Sequence, residues 1–85
     1  MDQYVLIQGT QGLYLAYGRS VDELMLAISS NTGDGLVDYW TSQEDPEVFR
    51  LVPSEHLAQV KQTGRVASYS VMNMDDIIRK QEILR

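Results

Sequence analysis

Eighty-five residues, 44% of them hydrophobic and 22% charged, suffice for one small domain and are too balanced for a disordered or fibrous chain. Zero cysteines exclude a disulfide scaffold, a Cys-ligated zinc or iron–sulfur centre and a thiol nucleophile, and one histidine excludes a multi-His metal cage. The net charge of −5 is unevenly placed, with eight acids and one base in residues 1–48 against six bases and four acids in residues 49–85.

An acidic first half repels nucleic acid and attracts basic protein surfaces. No apolar run approaches the ~20 residues needed to span a bilayer. Met1-Asp2-Gln3-Tyr4 lacks the basic start and apolar stretch of a secretory signal, so a cytoplasmic location away from membranes is expected. At this length folding buries only about 60–65% of the surface of the unfolded chain. Stability is therefore expected to be modest, and self-association or a partner would add to it.

In chain order, Tyr4-Val5-Leu6-Ile7 and Leu13-Tyr14-Leu15-Ala16-Tyr17 are rich in β-formers and flank Gly9-Thr10-Gln11-Gly12. The pattern predicts a hairpin whose glycines supply positive φ in the turn. Leu13, Leu15 and Tyr17 then share one face, Tyr14 and Ala16 the other. Ser20-Val21-Asp22-Glu23 matches a capping box, and Val21, Leu24, Met25 and Ile28 follow at helical spacing until Asn31-Thr32-Gly33. Leu36 to Thr41 reads as a third strand, Ser42 to Pro46 as a polar turn, and Val48 to Val52 as a fourth strand stopped by Pro53.

Ser54 to Lys61 fits either a short helix capped by Ser54 or a hairpin strand. The scarcity of β-branched residues favours the helix. Val66 to Val71 alternates as a strand with Ala67, Tyr69 and Val71 on one face. A final helix is expected from a cap at Asn73, with the i,i+4 pairs Asp75–Arg79 and Asp76–Lys80. The fold class expected is α+β: a small antiparallel sheet of four to five strands, order β-β-α-β-β-(α)-β-α, with helices packed on it as one domain over residues 1–85.

The chemistry-bearing clusters each have a plainer explanation. Ser54-Glu55-His56 holds a hydroxyl, a carboxylate and an imidazole, but three consecutive residues cannot converge as a catalytic triad, and a helix start accounts for them. Asn31-Thr32-Gly33-Asp34-Gly35 lacks the acidic twelfth ligand of a calcium loop, since Ser42 stands there. Gly9-x-x-Gly12 has the spacing of a backbone-clamping nucleic-acid loop, but it joins strands and carries no charge. Neither a catalytic site nor a cofactor or metal is expected.

The aromatics carry more. Tyr39 and Trp40 are adjacent on a strand, so they point to opposite faces and cannot both enter a one-sided core. Exposed Tyr or Trp among acids fits the anchors of a protein interface. Asp38, Tyr39, Trp40, Glu44, Asp45 and Glu47 are therefore the candidate protein-binding residues. The expected function is a non-enzymatic protein-binding module, a small acidic regulator or stoichiometric inhibitor of the phage or mobile-element type, with a basic protein surface as partner. Met74, Ile77, Ile78, Gln81 and Leu84 form a candidate oligomer seam through which a homodimer could pair. The rival is a nucleic-acid-associated accessory subunit using Arg50, Lys61, Arg65 and Tyr69, which the net charge disfavours.

Overall fold

The computed structural model describes residues 1–69. The elements run β1 (Gln3–Gly9), β2 (Leu13–Gly18), α1 (Val21–Thr32), β3 (Leu36–Thr41), a 3-10 helix (Pro46–Leu51), α2 (Ser54–Thr63) and β4 (Ala67–Tyr69). The four strands form one sheet in the order β3-β1-β2-β4, every neighbouring pair antiparallel. The expected α+β class holds. The expected final helix and the seam Met74, Ile77, Ile78, Gln81 and Leu84 lie outside the described residues, as does Val71.

Both faces of the sheet are covered, as its alternation requires. On one face Val5, Ile7, Tyr14 and Ala16 are buried against Ile28 of α1, with Val21, Leu24, Met25 and Leu36 packed around them. On the other, Leu6, Leu13 and Leu15 are buried against Val48, Phe49 and Val60 from the 3-10 helix and α2. Full burial of such side chains contributes roughly 1.5–3 kcal/mol each, so the two layers together hold the sheet. The central strands β1 and β2 are apolar on both faces for this reason.

α1 forms where its end signals stand. The Ser20 hydroxyl accepts the Glu23 backbone N–H at 3.2 Å, and Asp22 and Glu23 sit at the positive end of the helix dipole. Gly33 closes the helix in the left-handed region at φ 71°, donating its N–H to the Ser29 carbonyl at 2.9 Å.

Four expectations are corrected. Val48 to Val52 is not a strand: Pro46 opens a 3-10 helix through Leu51, and Phe49 lies on that helix. A strand would turn adjacent Val48 and Phe49 to opposite sides, whereas both are buried in the same cluster. Ser54 does not cap α2; Pro53 occupies the cap position without a side-chain bond, and Ser54 is the first helical residue. The last strand begins at Ala67 and not at Val66, and is described to Tyr69.

The hairpin glycines, finally, do not supply positive φ; only Gly33 and Gly64 have it among the described residues. Gly9 is needed for space instead. A Cβ there would fall onto the Asp34 carboxylate.

Candidate functional site

The acidic candidates gather along β3 and the turn that follows it. β3 is an edge strand, paired on one side with β1 through Val5–Thr41, Leu6–Trp40, Ile7–Tyr39 and Gln8–Asp38. An irregularity between Gln8 and Gly9 leaves Val37 without a direct partner, and its side chain is 64% exposed. Alternation then sorts the neighbouring aromatics. Trp40, opposite Leu6, is half-buried against the 3-10 helix and α2 layer. Tyr39, opposite Ile7, lies on the α1 face of the sheet yet remains 46% exposed.

Asp38 is exposed, and its carboxylate accepts the Tyr39 backbone N–H at 2.8 Å. The turn after β3 is held by Thr41. Its carbonyl accepts the Asp45 N–H at 2.8 Å, and its buried hydroxyl accepts the Glu44 N–H at 3.3 Å. Glu44 is thereby held at the surface, Asp45 is half-buried at the start of the 3-10 helix, and Glu47 lies exposed on that helix. Residues 36–49 contain four acids and no base. The structure thus spaces the candidates along the β3 edge: Asp38 lies opposite Gln8 near its start, Tyr39 lies opposite Ile7, Glu44, Asp45 and Glu47 follow its far end beyond Thr41, and Trp40 turns inward.

The Arg50, Lys61, Arg65 and Tyr69 strip is less coherent. Lys61 lies with its ammonium 5.8 Å from the centre of the Tyr17 ring, and Tyr69 stacks on His56 with ring centres 5.7 Å apart. His56 Nδ1 and the Tyr69 hydroxyl share a 2.9 Å hydrogen bond, and burial raises the Tyr69 pKa above its usual 10.0. Arg65 borders an open hollow of about 440 Å³ between α2 and β4, lined also by Gln59, Thr63, Val66 and Ala67.

One polar centre, Asp34, is not among the candidate residues that the sequence pattern singles out. Asp34 is 2% exposed and gathers the loops at one end of the sheet. Its carboxylate accepts from the Tyr14 hydroxyl at 2.7 Å, the Thr10 hydroxyl at 2.7 Å, and the backbone N–H groups of Thr10 and Gln11. These donors, Tyr14 foremost, hold its pKa at about 2 despite burial, and the same contact raises the Tyr14 pKa. With every oxygen engaged from within the chain, Asp34 ties the β1–β2 turn to the end of α1. The available sequence signal was a lone acid between two glycines, and its partners lie 20 or more residues away.

Among the described residues, no group of three or more His, Cys, Asp or Glu is placed to hold a metal ion, and no helix is long and apolar enough to cross a membrane. No family model, curated protein or solved structure matches the chain.

Proposed function

We propose that this chain is a non-enzymatic protein-binding module, a small acidic regulator or stoichiometric inhibitor that applies β3 and its following turn to a basic protein surface. The observation that carries the reading is the exposed Tyr39 and Val37 on an edge strand whose surroundings, residues 36–49, hold four acids and no base. An aromatic anchor on a strand flanked along the chain by charge of one sign suits a partner with an apolar socket and basic groups beside it. Tyr39, Asp38 and Glu44 are the residues assigned to contact, and Trp40 supports the strand from within.

The nucleic-acid reading has less behind it. The one aromatic ring of that strip, Tyr69, is engaged inside the chain with His56.

The test is site-specific photo-crosslinking in lysate of the source cells. The crosslinker replaces Tyr39 in one sample and the exposed Gln59 of α2 in another, each with and without nuclease. The expected result is a nuclease-resistant protein adduct from position 39, absent from position 59 and weakened by Glu44→Lys with Glu47→Lys. An adduct from position 59 that disappears with nuclease would instead favour the basic strip. Capture indifferent to the charge reversals would overturn the acidic docking face.

A further inference from the structure

Ser42 donates its N–H to the Tyr4 carbonyl, and antiparallel pairs alternate from there. Trp40 and Asp38 therefore turn their backbone groups toward β1, while Thr41 and Tyr39 turn theirs to the open edge. Unpaired outward groups on an edge strand template the addition of another strand. Here two of them are already engaged. The outward Tyr39 N–H is taken by the Asp38 carboxylate, and the outward Thr41 carbonyl by the Asp45 N–H.

We infer that Asp38 is a guard on the β3 edge, its side-chain acceptor closing the Tyr39 N–H so that a second copy of this chain cannot add its own β3 there. Two features make a guard necessary. Val37 and Tyr39 expose apolar surface along the same edge, and Leu36-Val37-Asp38-Tyr39-Trp40-Thr41 is rich in strand-forming residues. The guard is local, because the acceptor belongs to the residue immediately before the donor and moves with the strand.

The chain has no cysteine, so a single Val37→Cys substitution reports contacts between β3 edges in separate copies through a short bismaleimide. The expected result is a concentration-dependent crosslinked dimer for Asp38→Ala in that background. Its self-association is expected to be roughly tenfold tighter, since each strand-to-strand hydrogen bond gained contributes a factor of a few. Asp38→Asn keeps an acceptor but removes the charge, and should remain as unassociated as Val37→Cys alone. Asp38→Val, which lacks the acceptor and favours a strand, repeats the test if the alanine variant folds poorly. No gain in crosslinking with either apolar variant overturns the inference. Equal gain with Asp38→Asn also overturns it, because charge repulsion and not the hydrogen bond would then protect the edge.

Discussion

Tyr39 and Trp40 are neighbours in the chain, and their opposite placements separate stability from binding. Truncating a fully buried aromatic costs roughly 3–5 kcal/mol. Trp40 is half-buried in the layer formed by Leu6, Phe49 and Val48, so Trp40→Ala should cost about 2–3 kcal/mol, at or below the low end of that range. For a domain of this size each kcal/mol lowers the melting temperature by about 4–8 °C, giving a fall of roughly 10–20 °C. Tyr39 is 46% exposed and contributes less, so Tyr39→Ala should cost about 0.5–1 kcal/mol, a shift of a few degrees. Thermal unfolding followed by far-ultraviolet circular dichroism measures both. Partner capture should reverse the order: Tyr39→Ala loses the partner while folded, and Trp40→Ala keeps it below its lowered melting point. Equal destabilisation by the two substitutions, or loss of capture with folded Trp40→Ala alone, would refute the assignment of the two faces.

Two further predictions concern the Asp34 centre. Gly9→Ala should destabilise the fold by about 1–3 kcal/mol by forcing the Asp34 carboxylate aside, whereas Gly35→Ala, whose Cβ would sit 3.9 Å from Thr10, should do so far less; urea midpoints compare them. Because the folded pKa of Asp34 is depressed from 3.8 to about 2, its contribution is complete above its unfolded pKa and is lost as pH falls through the folded one. Wild-type stability should therefore drop between about pH 4 and about pH 2, and Asp34→Asn should start lower and flatten that part of the profile in acid titrations of the urea midpoint.

The elements legible in the sequence were those specified by near neighbours. Ser20 and Glu23 are three residues apart, and Gly33 follows the last turn, so the ends of α1 are written locally. The alternation along β2 likewise announced two faces, and Leu15 and Ala16 do go to different layers. Where partners are distant the sequence misled. Val-Phe-Arg-Leu-Val has strand-forming residues, but it pairs with no strand among the described residues; Pro46 starts a 3-10 turn and the sheet recruits Val48 and Phe49 together. Asp34 gave no local signal of burial because its donors, Thr10, Gln11 and Tyr14, come from the β1–β2 hairpin more than a helix away. The same long reach explains the hairpin glycine: the usual reason for Gly in a turn is backbone freedom, and at Gly9 it is the nearness of Asp34.

On the candidate site, the sequence pattern resolves the aromatics only by half. Strand alternation requires Tyr39 and Trp40 to diverge, but which one meets solvent depends on what covers each face. The 3-10 helix and α2 pack against Trp40, and coverage by α1 leaves Tyr39 part open. Covering both faces of the sheet has a consequence for binding. A flat sheet surface is not offered to a partner among the described residues, so contact falls to helix exteriors, loops and strand edges. On the β3 edge the backbone is partly closed by Asp38 and Asp45, while the side chains of Val37, Tyr39 and Glu44 stay exposed. With two of the outward backbone groups engaged, recognition of side chains suits this edge better than extension of the sheet. That favours an apolar socket with basic groups around it over an incoming β-strand.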